Sequence, residues 1–326
     1  FNFPKGSKVL VPVVTFISTA TAALYNGLEP VFVDIDENTL GLDLEDLERK
    51  TTKDCVAIMA VHMGGHPLPM DKIMEFADRK NLVVIEDCAH CAGGEFLGKK
   101  LGTWGHIGCF SFEEKKSMTT GDGGMICSND EKLLKPLYAM RWVGIDKDTW
   151  KRSTNYTSKD LDARHWYYEI AQLGYKYNMN DLCASIGLVQ LNKLDLMNAN
   201  RLKAIKRYVE GLENINYLSP LLPYDLSENS SYHIFGLRCD KRDALMIYLK
   251  NNDIATGLHY TPLNQHPLFK TFQDDTPIAN RIYKKIMTLP LFSDITEEEV
   301  DYVIKHLVQF NEHNATKTPR HKETQR

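Results

Sequence analysis

Between Val9 and about Ser128 the chain alternates short apolar runs with segments whose apolar residues recur at helical spacing. The runs Lys8 to Val14, Pro30 to Val33, Cys55 to Val61 and Asn81 to Asp87, and then Ile107 to Phe112 and Gly124 to Cys127, read as strands. Helices are predicted between them, near Ser18 to Asn26, at Leu44 to Thr51 and at Met70 to Lys80. Strands separated by helices imply a mostly parallel sheet covered on both faces, an α/β architecture. After Glu131 the chain turns helical and loop-rich, and from Leu182 to Asn200 it carries a helical period that continues towards Leu212. Beyond it the pattern predicts a strand at Tyr232 to Cys239, a helix at Arg242 to Asn251 and an extended stretch at His259 to Leu263. A closing helix is predicted at Glu297 to Asn311, with Thr296 as its cap.

Composition adds bounds rather than identity. A chain of 326 residues, 43% apolar and 25% charged, is ordinary for a globular protein. At this size roughly 70 to 75% of the unfolded surface can be buried, in one large domain plus a smaller one. A net charge of −4 leaves no electrostatic footprint for nucleic acid. The one basic cluster, Lys317 to Lys322, reads as a disordered end. No apolar run approaches the roughly 20 residues of a membrane helix, and Phe1 to Gly6 lack a signal peptide's apolar core, so the expected compartment is the cytoplasm. Seven scattered cysteines do not outline a disulfide framework.

Candidate chemistry begins at Phe110 to Gly124, where Lys115 and Lys116 stand between an apolar strand and a glycine-rich turn. A lysine so placed can capture an aldehyde as a Schiff base, because burial and nearby positive charge lower its pKa and free the amine. Upstream, Val83-Val84-Ile85-Glu86-Asp87 reads as a buried strand ending in carboxylates. An Asp there could keep the ring nitrogen of pyridoxal phosphate protonated, so that the ring withdraws electrons from a substrate carbanion. Lysine for the aldehyde and aspartate for the nitrogen are the minimum apparatus of transamination.

These segments give the chain its resemblance to a known family. From about Lys8 to about Phe310 it resembles the DegT/DnrJ/EryC1/StrS sugar aminotransferases, within the fold-type I enzymes that use pyridoxal phosphate. The blocks are Val11-Pro12 through Thr19, Ala60-Val61-His62 through Pro67, Val84 through His90, Phe110 through Gly124, Gly174 through Asp181, and Leu289-Pro290-Leu291-Phe292. Several blocks in the right order are far more specific than any single motif.

The resemblance implies a three-layer large domain over residues 1–195, with a mostly parallel sheet. It implies a small α+β domain over 196–314, followed by a tail at 315–326. It also places the family's cofactor-holding lysine on Lys116, a choice between the two lysines that side-chain chemistry alone does not make. Asp87 matches the partner of the ring nitrogen, and His90 lies against the cofactor's phenolic oxygen. Ser111 matches the serine that donates to the phosphate, and Phe16 the aromatic residue stacked on the ring. Asn178 belongs to a block that reaches the phosphate in the neighbouring subunit's site, though Lys176 could be the side chain that crosses. The implied assembly is a homodimer with a shared active site. The implied reaction moves an amino group from L-glutamate to a keto sugar, most often nucleotide-linked, in polysaccharide, lipopolysaccharide or antibiotic synthesis. An acidic keto sugar such as an oxidised 3-deoxy-octulosonate is the alternative acceptor.

Two departures qualify this. Glu113 stands where many relatives have His, which bears on the substrate side. The family pattern also carries more sequence before Val11-Pro12, including a helix start that holds the cofactor phosphate, so a missing first segment is expected. A non-catalytic regulator on the same scaffold is the alternative of another class. The joint presence of Lys116, Asp87 and Ser111 disfavours it. A plain α/β binding domain without cofactor is disfavoured further.

Other patterns point elsewhere and fail. Cys88 and Cys91 have C-x-x-C spacing without a second pair, so no metal site is expected. His62 and His66 have metalloprotease spacing, but their segment lacks the Glu and contains Gly-Gly followed by Pro. Asn155-Tyr156-Thr157 and Asn229-Ser230-Ser231 match glycosylation acceptors by chance in a cytosolic protein. Substrate choice is expected to depend on the loops Trp142 to Asp162 and Tyr260 to Pro267.

Overall fold

A computed structural model describes residues 1–145, 168–222, 224, 230–272 and 274–315. The predicted loop from 146 to 162, both glycosylation asparagines and the polar tail from 316 onward lie outside the described residues.

Six strands form the main sheet: β1 (Lys8–Pro12), β2 (Glu29–Val33), β3 (Cys55–Val61), β4 (Val83–Asp87), β5 (Ile107–Ser111) and β6 (Gly124–Cys127). Their order is β2-β1-β3-β4-β5-β6, and all neighbours are parallel except the last pair. The connecting helices are α1 (Ile17–Tyr25), α2 (Leu44–Lys50) and α3 (Met70–Lys80). In a strand successive side chains point to opposite faces. Val9 and Val11 accordingly join one apolar cluster, with Val13, Phe32 and Ala57, and Leu10 joins another, with Val33, Ile58 and Ala60. Both faces of the sheet are therefore covered, giving the three layers of a buried parallel sheet.

Local chemistry sets the boundaries. Asp43 caps α2 by accepting from the N–H groups of Glu45 and Asp46. Asn81 ends α3 in the left-handed conformation, a role short polar side chains tolerate. A short hairpin at Glu95–Phe96 and Lys99–Lys100 escaped the sequence pattern, being only two residues per strand.

Past α4 (Glu131–Met140) the helical period emerges as one 32-residue helix, α5 (Asp181–Leu212), started by the Asn180 side chain on Cys183 N–H. Its second half packs with β8 (Phe235–Cys239), α6 (Arg242–Lys250), β9 (Ile286–Leu289) and α8 (Glu297–Ala315) in a second core around Tyr208, Phe235, Leu245 and Leu307. The strand β7 (Leu218–Pro220) completes a three-stranded antiparallel sheet, β9-β8-β7. Thr296 and Glu299 cap α8 reciprocally: Glu299 N–H donates to Thr296 Oγ1 and Thr296 N–H to a Glu299 carboxylate oxygen. Asp34 accepts from the N–H groups of Ile278 and Ala279 in the first turn of α7 (Pro277–Ile282), whose Ala279 and Ile282 join the apolar cluster of Val9, Val11 and Phe32 against the main sheet. No helix among the described residues is long and apolar enough to cross a membrane.

Two elements differ from the sequence pattern. The strand predicted from Tyr232 begins only at Phe235, because residues 230–234 bind elsewhere. Ser230 Oγ donates to Gly65 O, Ser231 Oγ to His90 O, and His233 N–H to Gly64 O. The stretch from His259 is extended but joins no strand, and its end forms a single turn at Leu263–Gln265.

Candidate active site

The carboxyl ends of β1, β3, β4 and β5 lie together along one edge of the sheet, where the strand order switches direction between β1 and β3. Ligands of open α/β sheets bind in the crevice at such a point. Asp87 is the last residue of β4. Its carboxylate is fixed on both oxygens: Thr19 Oγ1 donates to Oδ2 at 2.7 Å, and Ala89 N–H donates to Oδ1 at 3.1 Å. Thr15, 3.0 Å from Thr19, buttresses the first of these.

Glu86, one residue earlier, points the other way and is fully buried. It accepts from His62 Nε2 at 3.1 Å and from the N–H groups of Gly102, Trp104 and Gly105 at 2.7–2.8 Å. Burial alone would raise its pKa, but His62 and the N–H groups of Gly105 and Gly102 outweigh it and hold the group below the usual carboxylate range. The pair of acids thus divides its work: Glu86 anchors the strand end, and Asp87 faces the crevice. Glu86→Ala leaves four buried donors unpaired, and a loss of about 3–5 kcal/mol in stability is expected by urea unfolding at neutral pH. A depressed folded pKa stabilises above the unfolded value of about 4.5, and this contribution is lost as pH falls through the folded one. The gap between wild type and variant therefore narrows in acid.

The lysine loop leaves the end of β5. Ser111, half-buried, ends the strand, and its Oγ accepts from Glu113 N–H at 3.5 Å. Phe112 carbonyl accepts from both Thr119 Oγ1 and Thr120 N–H, which closes a tight loop around residues 113–119. The loop separates the two lysines: Lys115 is exposed, whereas Lys116 is half-buried and precedes the buried Ser117 and Met118. Burial lowers the pKa of Lys116, against the opposing charges of Asp87 and Glu113. Lys116, Asp87 and Glu113 thus share one electrostatic environment, in which burial favours the neutral amine and the two carboxylates favour the charged one.

His90 closes the other side. Gly64 N–H donates to its Nδ1 at 3.3 Å, so Nε2 carries the proton, 3.3 Å from the Tyr260 hydroxyl. Burial, His233, Lys116 and His259 hold His90 well below its ordinary pKa, and His233 is pushed to about 3 by burial and by Lys116 and Arg201. His90 therefore stays neutral and offers a single, directed N–H. Its ring stacks on His233 at 4.3 Å. Gly64 and Gly65 make this approach possible. Both have positive φ, and a Cβ on Gly65 would lie 2.2 Å from Ser231 Oγ and 2.8 Å from His90 O.

Phe16, at the start of α1, is exposed and lies 6.0 Å from the Tyr260 ring. Asp87, His90, Lys116 and Phe16 are thus joined through Tyr260 and the shared field, and Ser111 sits at the root of the lysine loop. Asn178 is apart from them. It lies on an exposed arm where its Oδ1 accepts from Lys176 Nζ, and Lys176 stands over the Trp142 ring. Thr19, His233, His259 and Tyr260 were not singled out by sequence, since isolated residues 19 to 260 positions along the chain have no local pattern to tie them together.

His62, Cys88 and Cys91 bring potential ligand atoms within 4.8 Å of one another. Both His62 nitrogens are engaged, by Leu68 N–H and by Glu86, and burial pushes both thiols up. This cluster is core packing beneath the site.

The donor set fits pyridoxal phosphate: a half-buried amine, a doubly held carboxylate, one neutral imidazole N–H, a strand-end hydroxyl and an exposed aromatic ring at the mouth. Fold and site together define a pyridoxal-phosphate-dependent aminotransferase of fold type I. The DegT/DnrJ/EryC1/StrS aminotransferase family profile matches residues 1–308, and the chain belongs to this family of sugar aminotransferases. It is 34% identical over 311 residues to the spore coat polysaccharide biosynthesis protein SpsC of Bacillus subtilis, covering 92% of this chain and 78% of that protein. It is 32% identical over 309 residues to GDP-perosamine synthase of Escherichia coli O157:H7, covering 94% and 79%. The PLP form of a putative sugar aminotransferase, Spr1654 from Streptococcus pneumoniae, superposes with a TM-score of 0.85 at 26% identity, over 95% of this chain and 82% of that one.

Proposed function

We propose that this chain transfers the amino group of L-glutamate to a nucleotide-linked keto sugar, with Lys116 as its catalytic residue. The observation that carries this reading is the meeting of Lys116 and Asp87 in one half-buried crevice, in a chain similar to GDP-perosamine synthase. Bound pyridoxal phosphate supplies an aldehyde that takes up the amine and a ring that withdraws electrons from the carbon losing its proton. Lys116 provides the amine that holds the aldehyde between turnovers, and afterwards a base that moves the proton at the reacting carbon. Asp87, held by Thr19 and Ala89, is oriented to accept from the ring nitrogen. With the cofactor bound, His90 Nε2–H, now 3.3 Å from the Tyr260 hydroxyl, would donate to the phenolic oxygen, Ser111 Oγ would donate to the phosphate, and Phe16 would cover the ring.

Glu113 favours a neutral sugar ring. Its charge acts on both Lys116 and Tyr260, so an acidic keto sugar entering beside them would meet like charge. The sugar produced is assigned to polysaccharide or lipopolysaccharide synthesis, with the reaction in the cytoplasm.

We further propose a homodimer, with the Tyr175 to Asn178 arm contributing Asn178 or Lys176 to the partner's phosphate site. The first half of α5 and the arm expose Leu182, Leu188, Leu191 and Tyr177, each more than half accessible, and such a patch favours association. We divide the protomer into a large unit, 1–195, and a small one, 196–314.

The test is a coupled assay. With pyridoxal phosphate and L-glutamate, a GDP- or dTDP-linked keto hexose is expected to yield 2-oxoglutarate and an amino sugar in equal amounts. If no nucleotide-linked keto sugar supports 2-oxoglutarate formation while a free acidic keto sugar does, the acceptor assignment is wrong.

A further inference from the structure

Arg201 is the one buried arginine on α5, only 6% exposed, and nothing in the reaction chemistry calls for it. Its Nη1 lies 3.5 Å from the Ser117 carbonyl oxygen and 3.5 Å from Asn198 Oδ1. Asn198 in turn donates its Nδ2 hydrogen to Ala92 O, two residues past His90. One guanidinium on the long helix thus faces the residue that follows Lys116, and through Asn198 it reaches the loop that carries His90.

The site is only partly satisfied. Arg201 Nε and Ser117 Oγ are both buried without a hydrogen-bond partner. A buried charge held by two long contacts is expensive. Burial accordingly lowers the Arg201 pKa, with the Asp294 charge opposing. Simple packing does not require this charge, because Phe112, Met118, Ala92 and Leu194 already form an apolar contact between α5 and the lysine loop. What the apolar contact cannot supply is direction. A cation aimed at the Ser117 carbonyl fixes the rotation of the peptide between Ser117 and Met118, one residue beyond Lys116, and so restrains the loop from which the lysine side chain extends. The same charge reaches His233, which stacks on His90.

We propose that Arg201 is a positioning residue, whose guanidinium orients the Lys116 backbone through the Ser117 carbonyl. This rests on Lys116 being the catalytic lysine. Arg201 is buried, and its guanidinium meets the lysine loop at the Ser117 carbonyl, so its loss is expected to act through geometry. A displacement of about 1 Å at a reacting group can cost on the order of 10²-fold in rate.

The experiment compares wild type, Arg201→Ala and Arg201→Met, each loaded with pyridoxal phosphate and mixed rapidly with L-glutamate while the visible band is followed. All three are expected to show the band, since the lysine remains. The limiting rate of bleaching should fall about 10- to 100-fold in both variants, with the half-saturating glutamate concentration changed less than about twofold. Methionine restores the packing volume but not the donor, so a packing role predicts a near-normal rate for Arg201→Met and would overturn the proposal. Added guanidinium ion, at millimolar concentration, should restore part of the rate in Arg201→Ala and none in Arg201→Met; no rescue of the alanine variant also overturns it. Arg201→Lys keeps the charge but loses the fork, and serves if the shorter side chains do not fold. It is expected to bleach more slowly than wild type, and an equal rate refutes the role. A wild-type protein that glutamate fails to bleach is a different failure, that of the aminotransferase assignment to Lys116.

Discussion

Lys116→Ala is expected to abolish turnover, with a loss of at least about 10³-fold in kcat for the sugar reaction, because one side chain supplies both the nucleophile and the proton carrier. Lys115→Ala is the control. Lys115 is exposed, so its loss should leave kcat within about twofold of wild type. The alanine variant at 116 should also be no less stable than wild type, since a half-buried amine with a lowered pKa is a local cost. Steady-state rates with glutamate and the keto sugar, together with thermal unfolding of both variants, check the two halves of this expectation. Equal losses at 115 and 116 would mean that the loop, not the amine, carries the effect.

The second large effect is expected at Asp87. Asp87→Asn keeps one oxygen to accept from Thr19 Oγ1 and gives up the hydrogen bond from Ala89 N–H, which then faces the amide NH2; the fold is expected to persist, but the negative charge is gone. Removing one charged group aimed at the reacting system is worth about 10²- to 10³-fold in rate, and that loss is expected in kcat rather than in the half-saturating glutamate concentration. Lys116 also loses a neighbour that favours its protonated form, so its pKa should fall further in the variant. The pH dependence of Lys116 acylation in the protein free of pyridoxal phosphate, followed by peptide mass, checks this: its midpoint should move to lower pH in Asp87→Asn. An unchanged rate would remove Asp87 from the chemistry and leave it as an anchor like Glu86.

Much of this was legible in the chain. Alternating strands and helices, the Thr296 cap and the acid pair at the end of β4 follow from local patterns, and those patterns survive in the fold, where Glu299 completes the cap. What the chain did not disclose is where tertiary contacts override local preference. Residues 232–234 have strand composition, yet Ser230, Ser231 and His233 tie this segment to the Gly64–Gly65 turn and the His90 carbonyl, because a buried polar segment must satisfy its groups. The division of labour between Glu86 and Asp87 was equally hidden, since two adjacent acids on a strand differ only in which face they meet. His233, His259 and Tyr260 reach the crevice from a part of the chain more than 110 residues beyond Lys116, and no spacing rule connects them. Arg201 lies in a helical stretch with no local pattern to mark it, and what sets it apart is its burial against the Ser117 carbonyl.

The central claim is that Lys116 holds the cofactor, and the most direct measurement is a chemical one. The protein is incubated with pyridoxal phosphate, reduced with borohydride to make the attachment permanent, digested and mapped by mass spectrometry. The expected result is a single modified peptide with the added mass on Lys116, lost in Lys116→Ala. Attachment to Lys115, attachment spread over surface lysines, or a modified peptide that persists in Lys116→Ala would contradict it.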